Sequence, residues 1–321
     1  AIALQNLGVP AVSMTGFQSG FITTNQHLKA RIKEINTDRT EQFLKEGKVV
    51  VMAGFQGISE DGDITTLGRG GSDTTAVAIA AQLGWDCEVY TDVDAIFSID
   101  PKIYPKAKKL DRITYEEMME LASGGAAILE TRSVELAKKY NVKLYIGKSL
   151  ESDKRKGTYV MNDSFYIEEM PVTGISISDD CSIYSLQGMK NDGIAIADLF
   201  QILANLNINV DMISKQTYGD NLCTVSFSCT DAQSAELDAA LENNGTLKGI
   251  TLKKQPNLSI ISLVGVGMAT ATGVASKVFT ILAKEGIMYY QITTSEISIS
   301  VTVNRDEKIK AVIALCEAFG L

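Results

Sequence analysis

No CxxC spacing occurs among the five cysteines, Cys87, Cys181, Cys223, Cys229 and Cys316, and their number is odd. A disulfide framework and a thiolate zinc site are thereby excluded, and reduced thiols in a cytoplasmic protein are expected. No apolar run approaches the length that spans a bilayer and no signal peptide opens the chain, so no membrane partner is expected. Positive charge is in deficit: 30 Lys and Arg face 39 Asp and Glu, for a net charge of −9. That balance argues against nucleic acid as a partner, and an anionic substrate would need a local basic patch. The chain has one histidine, His27, in a polar stretch, where a surface-loop residue is expected rather than a general base. An initiator methionine is also missing. Residues 1–8 read as the last turns of a helix with a glycine cap, so a truncated or processed N-terminus is expected.

What is present is globular in composition. Apolar residues make up 45% and charged residues 21% of the 321, enough for two or three domains with their own cores. Residues 12–15 and 48–53 are short apolar, β-branched runs whose continuity predicts strands buried on both faces. A short helix over 37–47 separates them, and alternation of strand and helix continues through 88–93 to 144–146. This pattern predicts an α/β/α sandwich on a largely parallel sheet, with ligands beyond the carboxyl ends of the strands.

The stretch that stands out is Thr65-Thr66-Leu67-Gly68-Arg69-Gly70-Gly71-Ser72-Asp73-Thr74-Thr75, which leads into a helix at 76–83. Glycines let backbone N–H groups approach anion oxygens, and the start of a helix adds unpaired donors with partial positive charge. Arg69, Ser72 and Asp73 supply a cation, a hydroxyl and a carboxylate beside them. Thr91-Asp92 also follows a strand and is expected to face the same crevice. A GxGxxG dinucleotide fingerprint is absent, which excludes a nicotinamide oxidoreductase.

Beyond about residue 170 the chain repeats itself. Residues 182–188 match 259–265, residues 200–204 match 279–283, and Ile208 matches Ile287. Each unit reads strand, helix, strand, strand, helix. The first closes with a strand at 249–253, whereas the second ends without one. A spare strand at 172–178 precedes the first unit, so it is expected to complete the second sheet and interleave the two.

Taken together, Gly54-Phe55-Gln56-Gly57, residues 65–73, Tyr90-Thr91-Asp92-Val93 and Asp100-Pro101-Lys102 closely resemble the aspartate kinases. Residues 209–213 and 293–297 are similar to segments of that family's tandem ACT domains. The resemblance implies an amino-acid-kinase α/β/α sandwich over 1–160, then two ferredoxin-like βαββαβ ACT domains over 172–256 and 257–321, interleaved through strand 172–178. It implies transfer of the ATP γ-phosphoryl group to the side-chain carboxylate of L-aspartate, with Mg²⁺ neutralising the phosphates and no all-protein metal cage. Arg69, Ser72 and Asp73 are then catalytic. Phe55 forms a wall of the aspartate pocket, with core packing as its alternative, and Arg69 and Ser72 also bind substrate. Gly70, Gly71, Thr91, Asp92, Phe97 and Lys102 meet the nucleotide. Lys106, Lys108, Lys109 and Arg112 are expected on a solvated face. Met189, Asn191, Asp192, Asn209, Asp211 and Ser214 surround an end-product effector, lysine or threonine, with core filling by Met189 and capping by Asp211 as the alternatives. A homodimer through the ACT units is implied as well.

Three departures qualify the resemblance. The family's Lys-Phe-Gly-Gly and Thr-Gly-Glu segments are absent and would precede residue 1, so the chain by itself is expected to be inactive, and a non-catalytic amino-acid sensor is the alternative reading. Residues 124–132 stand where many members have His-Pro, and Ala127 occupies a position where some carry lysine. That places any nucleotide contact from this loop in question.

Overall fold

Short β-branched runs alternate with helices of one to four turns to build the first of two structural units. The computed structural model describes residues 1–125, 128–162, 170–219, 221–242 and 249–321. Its first unit comprises Ala1–Ser98 and Lys108–Glu169, and its second comprises Ile99–Ala107 and Met170–Leu321. Ala126 and Ala127, and with them the position of the family's lysine, lie outside the described residues.

In the first unit, α1 (Ile2–Asn6) leads to β1 (Ala11–Met14), β2 (Phe21–Thr23), β3 (Ile32–Ile35) and α2 (Asp38–Lys45). Next come β4 (Val49–Met52), β5 (Gln56–Ser59), β6 (Ile64–Thr66), α3 (Gly71–Leu83), β7 (Cys87–Thr91) and β8 (Arg112–Ile113). The unit closes with α4 (Tyr115–Ser123), α5 (Thr131–Tyr140), β9 (Leu144–Lys148) and β10 (Thr158–Val160). The α/β class is as expected, but the sheets are mixed. β1 and β4 pair in parallel as one sheet, β7-β9-β10-β8 form a second, and β3-β2-β5-β6 form a third containing both parallel and antiparallel pairs.

Burial on both faces, expected of residues 12–15, is only partial in β1, where Ala11 and Met14 are buried but Ser13 is exposed. It fails for β4. Val49 and Val51 are 42% and 38% exposed, because nothing among the described residues covers that face of the strand. Local signals fix the helices. Thr114 and Glu117 form a reciprocal capping box at the start of α4. Gly84, at φ 67, stops α3, which buries Val77, Ala78 and Ala80 and packs against α5.

The second unit begins with β11 (Gly174–Lys190), α6 (Gly193–Asn205), β12 (Ile213–Tyr218), β13 (Leu222–Cys229) and α7 (Asp231–Glu242). It continues with β14 (Thr251–Val264), α8 (Val274–Lys284), β15 (Tyr289–Thr294), β16 (Ser298–Asn304) and α9 (Lys308–Phe319). One antiparallel sheet runs β12-β13-β11-β14-β16-β15. Ile175–Ser178 pairs with residues 260–263 of the second repeat, and residues 183–187 pair with 251–255 of the first. The spare strand therefore lies on the second repeat, and the repeats interleave.

Strands expected as separate pieces are fused into β11 and β14. The chain passes straight from one half-sheet to the other, with only register shifts around Ser178 to Ile183. The duplication reaches side-chain level: Ser185 and Ser226 share a hydrogen bond of 2.8 Å in the first repeat, as Ser262 and Ser300 do at 2.7 Å in the second.

Residues 99–107 depart from the expected boundaries. Ile99 and Tyr104 are buried in the second repeat's core with Val172, Ile261 and Val301, so this segment, within the expected 1–160, packs as part of the second unit. Its apolar residues Ile99, Ile103, Tyr104 and Ala107 account for that preference.

The seam between the repeats is ionic. Repeat-equivalent Ser182 and Ser259 donate to Asp231 (2.5 Å) and Asp179 (2.8 Å), which are also held by Arg305 (2.6 Å) and Lys308 respectively. Burial pushes both carboxyl groups up, but these hydrogen bonds outweigh it and leave both pKa values lowered. A lowered carboxylate stabilises the fold above its unfolded pKa, about 4, and that contribution is lost as pH falls through the folded value. Replacing Asp179 and Asp231 together by Asn is expected to lower the unfolding midpoint at neutral pH and to flatten its decline in acid. Thermal melts across that range check both.

Candidate active site

Two glycines let three segments converge on the start of α3. Gly70 caps the helix in the left-handed region, at φ 63, and a Cβ there would stand 2.3 Å from Glu130 Cβ. At Gly71 a Cβ would stand 2.6 Å from Phe55 Cδ2 and 3.1 Å from Leu67 Cβ. No other residue fits either position without displacing its neighbours.

Phe55 is itself in the left-handed region, at φ 72, a conformation that costs a non-glycine residue about 1 kcal/mol or more. Its N–H donates to Thr75 Oγ1 and its carbonyl accepts from Leu67 N–H, both at 3.0 Å, while Thr75 Oγ1 donates to Gly71 O at 2.7 Å. Phe55 is 41% exposed and lies against Gly71 at the loop. Backbone strain of this kind collects at functional sites.

The first bond of α3 runs from Thr74 N–H to Gly70 O at 3.0 Å, leaving the amides of Ser72 and Asp73 at the open end of the helix. Arg69 and Ser72 are exposed and Asp73 is half-buried. Burial raises the Asp73 carboxyl above its usual range, neighbouring Glu130 raises it further, and the Ser72 hydroxyl lowers it. The arrangement offers an anion two amides with no hydrogen-bond partner among the described residues, an exposed guanidinium and a hydroxyl. Among the described residues no cluster of three His, Cys, Asp or Glu side chains is built to hold a metal.

The other expected nucleotide residues are dispersed. Thr91 and Asp92 follow β7 at its carboxyl end, where the Thr91 hydroxyl donates to Asp92 at 3.0 Å. Phe97 is half-buried and bridges to Lys109. Lys102 is exposed and lies on the segment that packs into the second unit, where its own N–H donates to Asp100 at 2.9 Å. Lys109 is engaged by Asp111 at 2.5 Å and by Arg155 O at 2.6 Å. His27 is exposed, as a loop residue should be. Sequence reasoning missed Glu130 and Arg132 as members of the loop's surroundings; their only signal was the unusual 124–132 stretch.

In the second unit, Met189 is fully buried in the first repeat's core, and the Asp192 carboxylate caps α6 by accepting from Ala195 N–H at 2.8 Å. Asn191 N–H donates to Asn221 O at 2.8 Å. Asn209 donates to Asp211 at 3.2 Å, and the Asp211 N–H donates to Ser228 at 3.2 Å. Asp211 is exposed as a residue, yet its carboxyl is desolvated enough to raise its pKa. Ser214 lies on exposed β12, opposite Ser226. Tyr218, which sequence reasoning passed over, accepts from Gly188 N–H at 2.7 Å.

Comparison with known proteins agrees with this architecture. Residues 1–148 match the amino acid kinase family and residues 261–319 match an ACT domain. The class is therefore an amino-acid kinase joined to ACT modules. An aspartokinase of Bacillus sp. (strain MGA3) is 41% identical over 323 residues, covering all of this chain and 78% of its own length. An aspartate kinase of Pseudomonas putida is 43% identical over 326 residues, with the same coverage. The chain belongs to the aspartokinase family. Among solved structures, E. coli aspartokinase III in complex with aspartate and ADP superposes with a TM-score of 0.82 at 24% identity, covering 99% of this chain and 72% of that one. Clostridium acetobutylicum aspartate kinase gives the same values; both share the fold.

Gly70→Ala is expected to destabilise the first unit by about 1–3 kcal/mol, through strain at φ 63 and collision with Glu130, which a lower melting midpoint would register. Glu130→Gln is expected to lower the Asp73 pKa by removing a facing negative charge, which carboxyl-resolved NMR titration of Asp73 reads directly.

Proposed function

We propose that this chain carries the substrate-binding loop for transfer of the ATP γ-phosphoryl group to the β-carboxylate of L-aspartate, a reaction of the full protein that gives 4-phospho-L-aspartate and ADP, the first step toward lysine, threonine and methionine. The observation that carries the reading is the loop at 68–73, held at the open start of α3 with Phe55 as its wall. Membership of the aspartokinase family supports it, and so does the aspartate and ADP bound by the E. coli relative.

In this reading Arg69 grips a substrate carboxylate bidentately. Gly70, Gly71 and the amides of Ser72 and Asp73 receive phosphate oxygens, and Phe55 excludes water from one side. Thr91, Asp92, Phe97 and Lys102 serve the nucleotide. An oxygen of the β-carboxylate attacks the γ-phosphorus as the bond to the β-phosphate oxygen breaks, and the electron pair leaves on ADP. Phosphoryl transfer needs positioning and charge neutralisation more than covalent help, which is what fixed amides and a guanidinium provide. Asp73 is the loop carboxylate available to a phosphate-bound Mg²⁺, which would supply further neutralisation.

The second unit is read as the regulatory module, consisting of a first ACT domain at 172–256 and a second at 257–321 completed by strand 172–178. An effector amino acid, lysine or threonine, binds near Asn191, Asn209, Asp211 and Ser214, with Asp211 pairing the effector ammonium. The buried Met189 and the capping Asp192 shape the loop. Lysine bound by an E. coli relative supports this class of effector. The sheet's edge strands β12 and β15 expose Ile213 (56%) and Ile292 (40%), which favours a second copy as partner. The scattered, buried thiols favour a reducing cytoplasmic location.

Trapping aspartyl phosphate as the hydroxamate tests the chemistry: ATP-dependent product from the purified protein supports it, and none from active-length protein sinks it. Arg69→Ala is expected to raise the aspartate KM about 100-fold, consistent with loss of a bidentate carboxylate contact. Asp211→Ala should abolish inhibition by lysine or threonine without changing uninhibited kcat; retained sensitivity would remove Asp211 from the effector site.

A further inference from the structure

Arg132 lies in the first turn of α5, half-buried, and its guanidinium is given wholly to backbone oxygens. Nη1 donates to Leu67 O and Nη2 to Ala30 O, each at 3.0 Å. No salt bridge among the described residues uses it, and burial lowers its pKa without discharging it. Drawing a guanidinium partly out of water beside Arg31, with Glu135 offsetting only some of the cost, calls for a geometric return.

That return is the position of the glycine loop. Leu67 is gripped from two sides: its N–H donates to Phe55 O at 3.0 Å and its carbonyl accepts from Arg132. Ala30, fully buried, donates to Thr66 O at 3.0 Å and accepts from the other arm of the same guanidinium. The next residue, Gly68, at φ 86, is so close to the 27–30 segment that a Cβ would stand 2.9 Å from Leu28 O. Immediately beyond lie Arg69, Gly70, Gly71 and Ser72. The planar fork of arginine spans two carbonyls at fixed spacing, whereas a lysine ammonium is a point donor on a flexible stem.

We propose that Arg132 is a positioning residue for the proposed kinase reaction, a clamp that sets where Gly68–Ser72 presents its donors by tying Leu67 and Ala30 to α5. It touches neither substrate and acts through the loop. The inference rests on the aspartate-kinase reading for its catalytic consequence and on backbone order for its structural one, so the two are measured separately.

In the full protein, Arg132→Ala is expected to lower kcat/KM for aspartate about 100-fold, as small misplacements of reacting groups do. It should also speed hydrogen exchange of the amides at 68–72, and millimolar guanidinium should restore part of the activity. Arg132→Lys keeps charge and stem but loses the fork, so it should lose at least about tenfold; it also decides the matter if the alanine variant does not fold. Lys138→Ala, which removes a cation from the same helix, should change neither kinetics nor loop exchange.

Wild-type kinetics and wild-type exchange in Arg132→Ala or Arg132→Lys would overturn the proposal. So would activity that falls only in step with the melting midpoint and shows no guanidinium rescue. Exchange reads the clamp without turnover. A wild-type protein that makes no aspartyl phosphate would therefore defeat the functional reading while leaving the clamp to be judged by exchange.

Discussion

Everything at the candidate site depends on the close approach of backbone to backbone at Gly70 and Gly71. Because neither residue has a Cβ, Phe55 can lie over one and Glu130 over the other, and the start of α3 is walled on two sides while its amides stay open. The surrounding bonds serve that approach. Thr75 holds Phe55 in the left-handed conformation that turns its ring toward the loop, and Leu67 is fixed between Phe55 and Arg132. The strain at Phe55 is tolerated because two hydrogen bonds hold its backbone and a third fixes the Thr75 hydroxyl that makes one of them.

The second unit solves a different problem by interleaving. The first repeat supplies all four strands of its half-sheet, whereas the second supplies three and takes its fourth from residues 174–178, which precede the first repeat; β11 and β14 each run through both halves. Neither half can then lose its fourth strand without disturbing the other, because the same continuous backbone runs through both. The repeated Ser–Ser bridges and the paired Ser–Asp–cation groups at the seam place polar contacts at equivalent points of the two halves. In the reading proposed above, an effector at Asp211 would act on a half-sheet whose strands continue into its neighbour, which is the physical basis for reading the pair as one regulatory module.

The repeat, the glycine loop and its helix, the strands β7 and β9, and the interleaving were all legible in the sequence, since each rests on periodicity, composition or an unpaired strand. Less legible were features set by distant partners. β2, β3, β5 and β6 are three or four residues long, too short for periodicity to register, and are held by pairing across the chain. The exposure of Val49 and Val51 depends on what covers β4, which a run of valines does not encode. The burial of Ile99 and Tyr104 was not legible because core partners such as Val172, Ile261 and Val301 are more than about sixty residues away. Glu130 and Arg132 follow the same rule: an acid and a base at a helix start suggest caps and solvated charges, and only the fold brings them against Gly70 and Leu67.

The electrostatics of the site explain how a chain of net charge −9 would handle an anionic substrate pair. Arg69 is an exposed cation on the loop and exposed Lys29 lies beside Gly68, while Asp73 and Glu130 are both acidic, and burial first and Glu130 second raise the Asp73 pKa. Attraction must then come chiefly from backbone dipoles, whose strength depends on being held still, since a wandering amide averages its field away. A site built from amides needs rigid support more than it needs added basic residues. The residues that matter most are therefore those that immobilise the loop: two glycines, a strained phenylalanine, a threonine hydroxyl and a guanidinium spent on carbonyl groups.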